Sequence, residues 1–261
     1  MKHDPGRDNL PGVLALLTDF GTRDDYVGQL HGAALSVSKN LHIVDLCHEI
    51  APGEIQSAAF LLIHDFEEFP EGTVFLSVVD PGVGTKRRIL VASVGGRFVV
   101  APDNGLLAPL FAMHRPDWIR DASDSPIAKE SPSRTFHGRD VMAPVAAWLA
   151  SGGDHEQIGP LVADEWVWLD IQPIRTSDGW TGCVVWIDRF GNLVTNLSEE
   201  CLVDGDLRYK GSALKKVQTF ADGGDREAVW LIGSRKTAEI VVNGGSAERI
   251  LGGSIGDLVY V

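Results

Sequence analysis

Thr73 to Val79 is an apolar, β-branched run of strand length that stops abruptly at Asp80-Pro81-Gly82-Val83-Gly84, with Arg87 and Arg88 just beyond. A run of that composition, bounded by turn formers, reads as a buried strand. In an open α/β sheet the carboxyl end of such a strand is where ligand chemistry sits. Asp80 and Arg87, a carboxylate and a guanidinium on either side of the turn, make a fixed charged pair. The competing reading is an ordinary turn, because Asp, Pro and Gly are common turn formers.

The same punctuation recurs along the first half of the chain. Val13–Leu17 is a short buried strand ending in Thr18-Asp19-Phe20-Gly21, and Asp24-Asp25 opens a helix with Val27, Leu30, Ala34 and Val37 on one face. Ile43–Leu46 reads as a second strand and Ile55–Phe66 as a second helix. Ile89–Val94 and Phe98–Ala101 flank Gly95-Gly96 as a hairpin, closed by Pro102-Asp103-Asn104-Gly105. Residues 123–134 are rich in Ser, Pro and charge and read as a surface loop. A helix follows from Arg139 to Ala150, ended by Gly152-Gly153. Strand alternating with helix predicts an α/β domain with a mostly parallel sheet covered on both faces.

From Gly182 onward only short strand-like runs remain: Cys183–Ile187, Leu193–Asn196, Ala228–Ile232, Ala238–Val242 and Asp257–Val261. Glycine-rich turns separate them, the pattern of a small all-β barrel or sandwich. The expected organisation is an α/β N-terminal domain over 1–165, a linker over 166–180, and a smaller β-barrel C-terminal domain over 181–261.

Composition narrows the partners. The chain of 261 residues carries a formal net charge of -13, which argues against a phosphate backbone as partner. Its three cysteines, Cys47, Cys183 and Cys201, lack metal-ligand spacing, and their odd number argues for a reducing compartment. The N-terminal residues lack the apolar core of a signal peptide, and no apolar run nears the roughly 20 residues needed to span a bilayer. Asn196-Leu197-Ser198 matches a glycosylation acceptor, which has no meaning without secretion. A soluble, cytoplasmic protein is expected, with no nucleic acid or membrane as partner.

Several residues are candidates for chemistry. Asp19, at the end of the first strand, either accepts hydrogen bonds from the two hydroxyls of a ribose or organises the next turn as a cap. His137, just before a helix, either acts as a base or orienting group or is a structural histidine. His31, His42, His48, His64, His114 and His155 are read as structural, without convincing partners. In the second domain, Asp188-Arg189-Phe190-Gly191-Asn192 displays an acid, an aromatic and an amide in a tight turn, and Gly233-Ser234-Arg235 with Glu239 follows a strand similarly. Turn chemistry alone explains either one. Asp19-Phe20-Gly21 and His137-Gly138-Arg139-Asp140 look like protein kinase signatures, but in reversed order and without a glycine-rich loop and strand lysine. Gly82-Val83-Gly84-Thr85-Lys86 is too short for a phosphate-binding P-loop, and no metal site is expected.

Taken in order, these motifs resemble one family. Thr18-Asp19-Phe20-Gly21 with Asp25-Tyr26-Val27-Gly28, Val78-Val79-Asp80-Pro81-Gly82-Val83-Gly84-Thr85 with Arg87, Ala101-Pro102-Asp103-Asn104-Gly105-Leu106-Leu107, Thr135-Phe136-His137-Gly138-Arg139-Asp140 and Phe190-Gly191-Asn192 look like the S-adenosylmethionine (SAM) hydroxide adenosyltransferases. These are hydrolases related to the fluorinase and chlorinase enzymes. The resemblance covers about Leu14 to Val261. It implies an α/β N-terminal domain and a β-barrel C-terminal domain. It also implies a homotrimer with each active site between the N-terminal domain of one subunit and the C-terminal domain of the next.

By resemblance, Asp80, Arg87 and His137 match the Asp-Arg-His triad that the halogenases lack, which places the chain on the hydrolytic side with water as nucleophile. The implied reaction converts SAM and water into adenosine and methionine, with SAM as substrate and no cofactor. The resemblance further implies that Asp19 holds the ribose hydroxyls and that Asn192 with Phe190 addresses the adenine. Asp188, Ser234 and Glu239 would then lie near the amino-acid end or the purine. Ser234-Arg235-Lys236-Thr237-Ala238-Glu239 departs from the Ser-Phe-Gly-Tyr-Leu-Glu usual in the hydrolases at Arg235, while Ser234 and Glu239 match. The alternatives are a SAM-dependent halogenase or other adenosyl transfer enzyme, and a non-catalytic protein that binds SAM or adenosine.

Overall fold

Strand and helix alternate along the first part of the chain because apolar β-branched runs alternate with one-faced apolar periodicity. The computed structural model describes residues 12–163, 165–202 and 206–261. The N-terminal residues, read above as lacking a signal peptide, lie outside the described residues. Contacts divide the chain into two units, one ending at Leu169 and the other beginning at Asp170.

The first unit runs β1 (Gly12–Thr18), α1 (Tyr26–Val37), β2 (Leu41–Cys47), α2 (Ile55–Asp65), β3 (Val74–Val78), β4 (Ile89–Val94), β5 (Arg97–Pro102), α3 (Ala108–Met113), β6 (Trp118–Asp121) and α4 (Ala143–Ala150). Its sheet has the order β2-β1-β3-β5-β4-β6. β2, β1, β3 and β5 are parallel neighbours, whereas β4 is antiparallel to both β5 and β6. The sheet is therefore mixed. The Gly95-Gly96 hairpin read from the sequence reverses the chain, since a two-residue turn joins only antiparallel strands. Trp118–Asp121 then adds an outer strand that no alternation announced.

Alternate residues on each strand face opposite layers. Leu14, Leu16, Val74, Leu76 and Val78 join one buried cluster with Leu30, Ala33 and Ala34 of α1 and Val145 and Ala146 of α4. Phe75, between them in sequence, instead meets Phe66 and Phe69 beyond the end of α2. All five residues of β3 are buried, as expected for a central strand covered on both faces.

The helix expected from Arg139 begins instead with a π-turn over Gly138–Met142, and regular α4 starts only at Ala143. Pro144 supplies the reason. It has no N–H to donate to the carbonyl four residues back, and that carbonyl, on Asp140, accepts from Lys129 N at 2.9 Å instead.

The second unit is predominantly β: β7 (Ile174–Thr176), β8 (Gly179–Ile187), β9 (Leu193–Ser198), β10 (Arg208–Tyr209), β11 (Ser212–Ala213), β12 (Lys215–Lys216), β13 (Ala228–Ile232), β14 (Thr237–Val242) and β15 (Leu258–Tyr260), with a short α5 (Ala247–Leu251). Within the 166–180 segment, β7 pairs with the start of β8, so this stretch is sheet as well as connection. The strands follow one path, β11-β10-β15-β8-β9-β14-β13-β12, with β7 beside β8. The two end strands of that path, β11 and β12, are separated in sequence by Leu214 alone. The sheet therefore curls until its ends nearly meet, and is barrel-like around Val184, Leu193, Tyr209, Trp230, Ile240 and Val259.

Leu76, completely buried at the centre of β3, reports on the first unit's core. Leu76→Ala is expected to lower unfolding free energy by about 2–5 kcal/mol, read as a shift in the urea midpoint without a change in slope.

Candidate active site

β1 lies between β2 and β3, so the chain leaves β1 toward one edge and returns to build toward the other. The carboxyl ends of β1 and β3 thus mark the switch point where open α/β sheets bind ligands. Thr18 pairs with Val78 across this boundary, which sets Asp19 and Asp80 side by side just beyond the strands. A cleft of about 320 Å³ opens there, lined by Asp19, Phe20, Pro52, Gly53, Val78, Asp80, Pro81, Val83, Thr135, Phe136, His137 and Gly138.

The turn after β3 folds Arg87 back onto Asp80. Val83 N donates to Asp80 O at 3.2 Å, Thr85 Oγ1 donates to Gly82 O at 2.7 Å, and Arg87 N donates to Thr85 Oγ1 at 3.3 Å. Arg87 Nε then reaches Asp80 Oδ1 at 2.8 Å and Oδ2 at 2.9 Å, and Arg87 Nη2 also donates to Oδ2. Both side chains are almost buried. Gly84 lets this turn meet the next segment: its φ is +78°, and a Cβ there would lie 2.4 Å from Arg134 O. That approach brings Arg87 Nη2 to 3.1 Å from His137 Nδ1.

The Arg87 contact fixes the His137 tautomer. A guanidinium only donates, so Nδ1 accepts and the neutral ring carries its proton on Nε2. Burial, then the Arg87 charge, hold the His137 pKa below its ordinary 6.5, with Asp80 and Asp140 opposing in part. Receipt of a proton at Nδ1 requires the Arg87 contact to break. Burial raises the Asp19 carboxyl above its ordinary range, Gly53 N at 2.8 Å opposes the rise, and the Asp80 charge adds to it.

Three braces hold this arrangement. Asn104 Nδ2 donates to Val79 O at 2.8 Å, securing the backbone just before Asp80. Arg88 turns away from Arg87 and donates from Nε to Asp103 Oδ2 at 2.9 Å, while Asp103 Oδ1 accepts from Val167 N at 2.9 Å. Behind His137, the buried Asp140 carboxylate accepts from Arg139 Nε at 2.7 Å and Nη2 at 2.8 Å, Lys129 Nζ at 2.6 Å and Ser133 N at 2.8 Å. Arg139 Nη1 also donates to Gln29 Oε1 of α1 at 2.7 Å.

In the second unit, Asp188 Oδ1 accepts from Phe190 N and Asn192 N, each at 2.9 Å, and Oδ2 accepts from Asn192 Nδ2 at 2.8 Å. Asn192 is buried and its amide is engaged by Asp188, whereas Phe190 projects its ring outward, 75% exposed. Glu239, on β14, is buried. Burial and then the Asp188 charge raise its carboxyl, and Arg235 opposes them. Its carboxylate lies against the turn that carries Ser234, since a Cβ on Gly233 would sit 1.8 Å from Glu239 Oε1. The structure thus groups Asp19, Asp80, Arg87 and His137 in the first unit, and in the second it places Asp188, Phe190 and Asn192 on one turn, with Ser234 on another beside Glu239 of β14. Among the described residues, no group of three or more His, Cys, Asp and Glu could hold a metal ion.

Pro52 and Gly53, in the loop between β2 and α2, were not singled out by sequence. His48, read as structural and without a partner, has one: its Nδ1 lies 2.8 Å from Thr18 Oγ1.

Family models and relatives agree on the chain's kinship. The SAM hydroxide adenosyltransferase N-terminal domain matches residues 14–159 and the C-terminal domain of the same family matches residues 182–260. A protein of Thermus thermophilus named (R)-S-adenosyl-L-methionine hydrolase is 37% identical over 90% of this chain and 94% of the relative. One of the same name from Salinispora tropica is 33% identical over 95% of this chain and 97% of the relative. A fluorinase of Actinopolyspora mzabensis is 27% identical over 82% and 84%. The crystal structure of an uncharacterized conserved protein from Thermotoga maritima superposes with a TM-score of 0.86 at 32% identity, covering 94% of this chain and 98% of that one.

The Arg139 contact, with Lys129 and Ser133 N, holds Asp140 far below the ordinary carboxylate range despite its burial. A depressed folded-state pKa contributes stability that is full above the unfolded value of about 3.9 and fades as pH falls below it. Asp140→Asn is expected to lower stability at pH 7 by about 2–3 kcal/mol. The deficit against the unaltered protein should shrink below about pH 4, checked by denaturant titration at both pH values.

Proposed function

The chain belongs to the SAM hydroxide adenosyltransferase family, and on that premise we propose that it hydrolyses S-adenosyl-L-methionine to adenosine and L-methionine. The observation that carries the reading is the intact Asp80–Arg87–His137 set, contiguous at 2.8–3.1 Å, with Asp80 and His137 lining a cleft at the switch point of the sheet. Water attacks the ribose 5′ carbon as the carbon–sulfur bond breaks, and sulfur keeps the bonding electrons. The sulfonium leaves as a neutral thioether, so the leaving group needs no proton.

The difficulty lies with the nucleophile, and positioning a water in line inside a water-poor cleft supplies most of what it lacks. His137, its Nδ1 occupied by Arg87, presents Nε2–H as the donor that holds the water oxygen. As the carbon–oxygen bond forms, that oxygen becomes strongly acidic and its proton passes to Asp80, the anion of the set. Arg87 keeps both partners in place. Asp19 accepts from the ribose hydroxyls, one carboxylate serving two donors.

Asn192 and Phe190 address the adenine, and Asp188, Ser234 and Glu239 lie toward the purine or the amino-acid end, with Arg235 beside them. The ligand residues are divided between the two units, which suits a homotrimer in which neighbouring subunits complete each site. The three cysteines, Cys47, Cys183 and Cys201, form no disulfide, which suits a reducing, cytoplasmic setting, and no helix among the described residues is long and apolar enough to cross a membrane.

Purified protein incubated with SAM in halide-free buffer should yield equal adenosine and methionine by chromatography. The relatives' names specify the (R) sulfonium epimer, so both epimers should be supplied separately. Halogenated adenosine formed only with chloride would move the chain to the halogenase class, and binding without either product would make it a SAM-binding protein. His137→Ala and Asp80→Asn are expected to lower kcat by about 100-fold or more with KM within about threefold. Because burial and Arg87 disfavour protonation of His137, the acid limb of kcat against pH should fall below the ordinary imidazole value of 6.5. Light scattering should give about three times the 28.2 kDa chain mass.

A further inference from the structure

His48 does not line the cleft, yet it grips the turn that carries Asp19 at two points. Its Nδ1 lies 2.8 Å from Thr18 Oγ1, and its carbonyl accepts from Gly21 N at 2.6 Å. Asp19 and Phe20, which line the cleft, are the two residues between these anchors. Thr18 is wholly buried and His48 nearly so.

The contacts are compatible with a neutral ring that accepts at Nδ1. Phe20 N donates to Thr18 Oγ1 at 3.2 Å, so the Thr18 hydroxyl is free to donate to Nδ1 of a neutral ring. The ring then carries its proton on Nε2, which lies 3.0 Å from Asp45 Oδ1 without the alignment of a hydrogen bond. His31 Nε2 lies 2.8 Å from the same oxygen.

The backbone is irregular where it needs to be for this contact. Leu16 pairs with Asp45, but Leu17 pairs with Cys47, so β2 carries one extra residue at this point. Without that bulge, Thr18 would stand opposite Cys47; with it, His48 comes alongside. Bulges are uncommon between parallel strands and serve to re-aim a side chain next to a site.

We infer that His48 is a positioning residue for substrate binding, acting through Thr18 to set the turn that presents Asp19. The inference rests on the reading of Asp19 as the ribose-binding acid. It predicts an effect on affinity more than on the chemical step, because Asp19 touches the ribose rather than the water.

Two amide variants separate this role from simple packing. Asn places its oxygen near the position of Nδ1, whereas Gln reproduces Nε2. His48→Gln and Thr18→Val are each expected to raise KM for SAM and the Kd for adenosine about tenfold, with kcat within about twofold. His48→Asn and Thr18→Ser should restore most of the affinity. Hydrogen exchange followed by mass spectrometry should quicken over residues 18–24 in His48→Gln and not in His48→Asn. Equal behaviour of the two amide variants, or unchanged exchange and adenosine affinity in His48→Gln, would overturn the inference. Failure of the hydrolase reading looks different: the unaltered protein would form no adenosine from SAM while the Asn and Gln variants still differed in exchange of the turn.

Discussion

The Asp80–Arg87 ion pair organises the first unit's site. Two charges almost removed from water are tolerable only when each is closely matched, and loss of one partner from such a pair costs about 3–5 kcal/mol. Here the guanidinium meets the carboxylate through Nε and Nη2 and keeps Nη2 within reach of His137. That last contact decides which imidazole nitrogen bears the proton. One ion pair therefore links the end of β3 to the segment before α4 and sets the hydrogen-bonding character of the histidine between them.

Its geometry is held from outside. Asn104 fixes the carbonyl before Asp80, Gly84 lets the intervening turn rest against Arg134 O, and Asp140 gathers four donors behind His137. Pro144 takes part as well, since the donor it lacks leaves the Asp140 carbonyl for Lys129. In the proposed hydrolysis the nucleophile is water, for which misplacement by an ångström lowers rate steeply.

The second unit offers a different kind of surface. One turn holds Asp188 and Asn192 with their polar atoms bonded to one another beside an outward Phe190 ring, and the buried Glu239 of β14 feels the Asp188 charge. Aromatic faces and short polar turns recognise a flat heterocycle and a small zwitterion without performing chemistry on them.

Much of this was written in the order of residues. The strands β1 to β5, the hairpin at Gly95-Gly96, and Asp19, Asp80, Arg87 and His137 at strand or helix ends are all local patterns, and local patterns are what periodicity and turn chemistry report. The antiparallel β6 and the short β12 were not legible, because they pair with strands distant in sequence; β10 and β11 form a local hairpin too short to leave a periodic signal, and the π-turn at Gly138–Met142 leaves the apolar periodicity of a helix unchanged. His48 shows the limit most clearly. Its residue type and position gave no sign of a partner, because the partner is supplied by a bulge between parallel strands that shifts pairing by one residue. Residue order alone says which side chains are available and where the chain turns. Which of them meet is a matter of the fold, since register and strand order are set by packing across the sheet rather than along the chain.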